Sequence, residues 1–321
     1  MEENSVIQNQ NPQKKQKLNE EQDIDGNSKS LSNLPEGVLL RILSFLPTKD
    51  AVRTSVLSKR WDYRWVSITN LDFGQSSCDK RILLMNFVER ALCLRGSSDI
   101  KQFTLSCDVC DASRVNTWIS TAIRHNVQEL HIKLDDFNGE LSLPYCLFTC
   151  KTLTDLHLDI PFVLKLPSTF CFSNLKILTF QNVTFSDDHL TQQLLSGHPV
   201  VEKLSLHVCS WGAIKVVSIS APKLHFLSIV ESGVENSSFV DGCQFMIFGG
   251  SLKEFCYNGY LLNDYCLHKS FSLEKAEIDA FVNDKPKHIA YRMYKLLMGL
   301  SSVKFLRLSS DVVEVCLLLP L

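Results

Sequence analysis

Nine histidines and twelve cysteines are the side chains of this 321-residue chain best suited to metal binding or proton transfer. His131 and His157 occupy like positions in two similar segments, VQELHI and LTDLHL, each two residues after a carboxylate, Glu129 and Asp155. His207 follows in a third segment, VEKLSLH. Imidazoles stacked beside carboxylates can hold a metal or relay a proton. The chain offers no nucleophile elbow, phosphate loop or HExxH spacing to accompany them. Cys107-Asp-Val-Cys110 is a lone CxxC, with Cys146 and Cys150 some way beyond, whereas a structural zinc site needs a second pair at matching spacing. The expectation is therefore a non-catalytic chain with no metal and no cofactor, whose histidines belong to a surface.

The segments that position these residues repeat. The pattern apolar-x-x-apolar-x-apolar begins at Ile100, Val127, Leu153, Leu175, Val201, Leu224, Leu252, Leu273 and Val303. At 45% apolar content roughly one start in eleven matches by chance, but nine matches spaced near the 20–29 residues of a leucine-rich repeat do not. Each such segment supplies one short strand to a parallel sheet on the concave face of a solenoid, with the first, fourth and sixth residues facing the core. The residues between them face out. The outward row is then Glu129 and His131, Asp155 and His157, Lys203 and Ser205, Glu254, Lys275 and Glu277. Its mixed charge suits a protein ligand rather than nucleic acid, so these are the candidate substrate-binding residues.

Connecting segments fit the same plan. Residues 79–95 read as a helix ended by Gly96, with Ile82, Met85, Val88 and Leu92 along one stripe, and residues 113–125 as another, with Val115, Trp118, Ile119 and Ala122 inward. Residues 186–197 read as a capped helix with acids in its first turn and glycine at its end. The ninth-position Asn or Cys of the leucine-rich pattern is clear only at Cys209, so the repeats, about nine over 100–310, are degenerate.

Ahead of the repeats stands SNLPEGVLLRILSFLPTKDAVRTSVLSKRWDYRWVSITNLDF, residues 32–73. Leu34-Pro35 opens a helix, because proline costs nothing in a first turn. Seven apolar residues crowd positions 36–46, where a helix covering one core needs about three in seven. Pro47 ends that helix, and Thr48 with Asp50 opens a second whose apolar positions are Ala51, Val52, Val56, Leu57 and Trp61. About forty residues rarely bury enough surface to stand alone, and each aliphatic side chain left in water forgoes about 1.5–3 kcal/mol. Either the rest of the chain or a permanent partner must cover the surplus.

In wording and order this stretch resembles the F-box of plant F-box proteins, through Leu34-Pro35, ILSFLPTKD (42–50) and SVLSKRW (55–61). CLFTCKTLTDLHL and ISAPKLHFLSI likewise resemble the leucine-rich region of plant F-box/LRR proteins. The resemblance implies an α/β architecture, a three-helix F-box (31–73) followed, after a linker helix (74–99), by a leucine-rich-repeat solenoid. It also implies a Skp-type adaptor as partner and, through it, the cullin and RING subunits of an SCF ubiquitin ligase. The adaptor-binding residues would be Leu34, Pro35, Val38, Leu39, Ile42, Leu43, Leu46, Val52, Val56, Leu57 and Trp61. The chain would then be the substrate-recognition subunit, holding an unidentified target protein. The alternative is a scaffold that meets the adaptor and delivers nothing.

A formal charge of −2 gives no general attraction to nucleic acid or anionic membrane. No apolar run reaches the ~20 residues of a membrane span, and the N-terminus lacks the apolar core of a signal peptide. The expected compartment is nucleus, cytoplasm or both, where the cysteines stay reduced. Residues 1–30 are expected to be a disordered tail, and the basic run 12–17 is a candidate import signal. After the strand at 303–308 the chain ends in an apolar tail, 311–321, without the domain called FBD that follows the repeats in many relatives. The expectation is an under-protected C-terminal edge and a shortened product.

Overall fold

The computed structural model of the chain describes residues 34–74, 81–108, 111–135, 142–233, 242–268, 272–281 and 287–317. The expected disordered tail, its basic run and Cys110 lie outside these residues. Among those described, ten strands form one sheet: β1 (Asn70–Gly74), β2 (Gln102–Asp108), β3 (Glu129–Asp135), β4 (Asp155–Asp159), β5 (Ile177–Gln181), β6 (Lys203–His207), β8 (Phe226–Val230), β10 (Glu254–Gly259), β12 (Lys275–Ala280) and β13 (Phe305–Leu308). They lie in that order, every neighbouring pair parallel. The register never slips, so like positions of successive repeats stack in columns: Leu130, Leu156, Leu178, Leu204 and Leu227 form one. Slipping by one residue would turn the whole apolar set to solvent. In the first eight predicted repeats, the first, fourth and sixth pattern residues are all buried.

β1 adds a rung that the repeat count missed. Ile68, Leu71 and Phe73 carry the same spacing and are buried with the others. The boundary expected between 73 and 74 therefore falls inside a strand. The Asp72 backbone N–H donates to Thr48 Oγ1 at 2.7 Å, and Thr48 itself is buried. The helical N-terminal segment is thus stitched onto the sheet.

That segment contains α1 (Glu36–Leu43), α2 (Thr48–Arg53) and a 3-10 turn, Arg64–Ser67. α1 stops short of Leu46 because Ser44 Oγ donates back to the Arg41 carbonyl and Pro47 forbids further helix. A 3-10 turn at Thr54–Val56 ends the second helix, and the expected third helix is reduced to the turn at 64–67. Tyr63, left-handed at φ 55°, blocks any longer helix there.

The core face of the sheet is covered by α3 (Arg81–Leu94), α4 (Ala112–Arg124), α5 (Asp188–Ser196) and α6 (Lys287–Met298). Asp111 caps α4 by accepting from Ser113 N at 2.9 Å, and Asp187 caps α5 by accepting from Leu190 N at 2.8 Å. In α3 the buried stripe is Met85, Val88, Ala91 and Leu92, whereas Ile82, expected inside, is exposed in the first turn. Between β6 and β12 the covering layer includes a second parallel sheet, β7 (Val216–Ile219), β9 (Gln244–Phe248) and β11 (Asp264–His268), flanked by α5 and α6. Its strands bury residues in the same way, Ile214, Val217 and Ile219 on one and Tyr265 and Leu267 on another, although Leu262, at the matching position before β11, is 41% exposed.

The last rung differs. Leu306 stands in the buried column yet is 45% exposed, and Phe305 beside it is 71% exposed. The tail is not structureless: α7 (Ser310–Leu317) packs on α6 and β12 and buries Val312 completely.

One buried group gives the fold a pH dependence. His198 packs edge-on to Phe172, ring centres 5.3 Å apart, and its Nε2 has no partner. Burial pushes its pKa down. The neutral ring's contribution to stability is complete above the unfolded value of about 6.5 and is lost as pH falls toward the lowered folded value. Thermal unfolding followed from pH 7.5 to 5 should therefore decline less steeply for His198→Phe than for the parent. Parallel declines would show that the ring is not held neutral.

Candidate functional site

Two surfaces stand open to a partner. The first is on the N-terminal helices. Val38, Phe45, Val56 and Leu57 are exposed, Val56 by 86% and Phe45 by 73%. Pro35 is exposed as well, while Leu34, Ile42, Leu46 and Val52 are half-buried. Leu39, Leu43 and Trp61, expected on the adaptor surface, are instead inside, in one cluster with Ala51, Trp65, Ile68 and Leu71. The reason is helical geometry: Leu39 and Leu43 are four apart and share the face turned to the sheet, leaving Val38 and Ile42 on the flank. Phe45, which that set of residues omits, is the larger exposed apolar group, with the Arg41 guanidinium 5.2 Å from its ring centre. The segment is fixed from behind by Arg60, which donates to the Leu34 carbonyl, and by the Arg64–Glu36 ion pair.

The second surface is the open face of the main sheet. The in-step register brings Glu129 and Asp155 into one column and His131 and His157 into the next. Lys203, Glu254 and Lys275 continue the first column, with Ile177 and Phe226 between them, and Ser205 and Glu277 continue the second. All nine expected residues thus lie on this face, and all are at least partly accessible. The two histidine rings are 5.8 Å apart, and His131 Nε2 stands 3.6 Å from Asp155 Oδ1.

That arrangement splits their titration. The Asp155 carboxylate beside it raises the His131 pKa against the effect of burial. Burial, followed by the His131 charge, lowers that of His157. His207, lowered by burial and then by His157, places Nε2 3.2 Å from Ser228 Oγ. Carboxylates on this face are largely paired: Glu129 with Lys101 at 3.6 Å, Asp159 with Lys133 at 3.5 Å and Glu277 with Lys275 at 2.8 Å. Among the described residues no three of His, Cys, Asp or Glu are grouped to hold a metal ion. Cys146 donates to Ser120 Oγ and Cys150 contacts Thr152 Oγ1, both ordinary packing contacts.

The central column also changes character along the sheet. It runs His131, His157, Thr179, Ser205, Ser228, Cys256, Glu277 and Arg307. Where the side chains shorten, a recess of about 340 Å³ opens over β8, β10, β12 and β13. Ser228, Cys256 and Arg307 line it, and only the in-step register would have revealed them from sequence.

A short helical unit with uncovered apolar residues, joined to a leucine-rich-repeat sheet, defines the class of protein. Residues 31–62 match the F-box domain, and residues 115–244 match the LRR repeats of the FBD-associated F-box protein At5g56370. Relatives come from Arabidopsis thaliana. The putative FBD-associated F-box protein At5g56440 is 36% identical over 228 residues, 70% of this chain and 52% of its own length. The F-box/FBD/LRR-repeat protein At5g56420 is 30% identical over 285 residues, 87% of this chain and 64% of its own. The FBD-associated F-box protein At4g10400 is 31% identical over 290 residues, 88% of this chain and 67% of its own. The chain belongs to the plant F-box/FBD/LRR-repeat family. It spans about half to two thirds of the length of these relatives.

Proposed function

We propose that this chain is the substrate-recognition subunit of an SCF (cullin–RING) ubiquitin ligase, working in the nucleus, the cytoplasm or both. The observation that carries the reading is the presence of two accessible surfaces on one body, one apolar and one polar. Val38, Phe45, Val56 and Leu57 are uncovered apolar groups on a segment that matches the F-box domain. They, with Leu34, Pro35, Ile42, Leu46 and Val52 at their margin, would dock a Skp-type adaptor. The open sheet, with Glu129, His131, Asp155, His157, Lys203, Ser205, Glu254, Lys275 and Glu277 in two columns, would hold the target protein. The chemistry of ubiquitin transfer then belongs to other subunits, and this chain acts by proximity, raising the effective concentration of target lysines.

The test is affinity purification of the full chain from proteasome-inhibited cells, alongside a variant with Asp155→Lys and Lys203→Glu. Both side chains sit on the open face, so folding should be unaffected. Proteins that accumulate with the parent should be lost from the variant while adaptor recovery stays level. Loss of both together, or retention of the targets, would contradict the division of labour.

A further inference from the structure

Over the first half of the open face the charged side chains satisfy one another. The recess at the other end differs in one respect. Its two carboxylates already have donors: Glu277 accepts from Lys275 Nζ at 2.8 Å, and Asp279 accepts from Asn258 Nδ2 at 3.1 Å. Lys275 first, and Arg307 after it, draw the Glu277 carboxyl below its usual range. Arg307, next to Glu277 across the β12–β13 rung, makes no hydrogen bond or ion pair with any described residue. Its five N–H donors are thus uncommitted.

The rest of the lining suits a chain laid across the strands. The side chains of Ser228 from β8, Ser309 after β13 and Asn258 each make one hydrogen bond, to His207, Ala280 and Asp279, and keep further donor or acceptor capacity. Cys256 between them is short enough to leave the floor open. A volume of about 340 Å³ lies at the small end of ligand-holding clefts, about 300–1,000 Å³. It admits a side chain and its adjoining backbone rather than a folded surface.

We propose that this recess is the reading pocket for an acidic side chain, Asp or Glu, in an extended segment of the target, with Arg307 forking onto its carboxylate. The proposal rests on the open face being the target surface. A guanidinium matches a carboxylate bidentately, which lysine does not. Hydroxyl and amide groups of Ser228, Asn258 and Ser309 then meet the backbone of the segment. The target therefore carries a short motif with one obligatory acid rather than a broad complementary patch.

The experiment selects binders to the full chain, with its adaptor, from a bead-bound library of N-acetylated, C-amidated dodecapeptides. Amidation removes the terminal carboxylate, so any acidic preference comes from a side chain. Selected peptides should share Asp or Glu at one position. Arg307→Ala should weaken the best of them about ten- to a hundred-fold, the worth of a charged hydrogen bond, and Arg307→Glu should turn the preference to Lys or Arg. Arg307→Lys should recover only part of the loss. Arg307 is exposed, so matching thermal melts verify each variant's fold. Peptides weakened by Asp155→Lys with Lys203→Glu, yet lacking an acidic preference and indifferent to Arg307→Ala, would overturn the recess and leave the receptor reading standing. Failure to select any open-face peptide would count against both.

Discussion

Phe45→Asp combined with Val56→Asp should abolish capture of a Skp-type adaptor by the full chain and leave its thermal unfolding close to that of the parent. Both side chains are largely in water, 73% and 86% exposed, so the fold has little to lose: surface changes away from special features fall within about 0.5 kcal/mol. A partner that covers them has much to lose. Each large apolar group transferred from water contributes about 1.5–3 kcal/mol, and a central anchor removed from an interface costs about 2 kcal/mol or more. Two together weaken binding roughly a thousand-fold. Leu39→Asp makes the informative contrast, since it lies in the core and should unfold the segment instead of merely silencing it. Adaptor recovery unchanged in the double variant, with the fold intact, would remove the basis for the proposed ligase role.

The second large effect concerns Glu231, just beyond β8. Its carboxylate accepts from Tyr257 OH at 2.5 Å, Tyr265 OH at 2.6 Å, Asn263 Nδ2 at 2.7 Å and the Leu262 backbone N–H at 2.9 Å. Tyr257 belongs to the main sheet and Tyr265 to the small one, so this carboxylate clasps the two layers together. Both tyrosines are buried, and burial, followed by the Glu231 charge, holds their hydroxyls protonated well above the usual range. Glu231→Ala leaves two buried hydroxyls without an acceptor, at about 1–3 kcal/mol each. Repeats couple only to their neighbours, so the damage stays local. Amide exchange should accelerate about a hundred-fold at β10 and β11 and remain unchanged at β3 and β4. Glu231→Gln should recover little, because its NH₂ would face donors. Equal protection in parent and variant would mean that the clasp contributes nothing.

Much of the fold was legible because one physical constraint recurs. A strand buried on one side must alternate, and nine alternating segments at a regular period leave few other folds open. β1 was overlooked although Ile68, Leu71 and Phe73 keep the same spacing. No Gly or Pro separates it from the helical pattern that begins at Thr48, so the sequence does not mark where packing on the sheet begins. The small sheet escaped for a different reason: Val217, Phe245 and Tyr265 alternate as the main strands do, and their interleaved positions give no sign of which layer they join. Burial on the short helices could not be divided between core and surface by apolar count alone, which is why Leu39, Leu43 and Trp61 were misplaced and Phe45 passed over. The recess depends on neighbours about twenty residues apart being short together, a property of the stacked register and not of any one repeat.

The strand that grows directly out of the helical segment has a mechanical consequence. Leu71 and Phe73 share a core with Trp65 on one side and Phe103 on the other, so the two functional ends meet across packed side chains instead of a swivelling tether. Packed interiors deform little. A protein gripped on the open sheet is therefore held at one orientation to whatever grips the helices, like cargo on a bracket. Which of its lysines comes within reach would be dictated by where it is gripped, and a shift of the grip by one or two rungs, each about 4.8 Å wide, would present a different lysine.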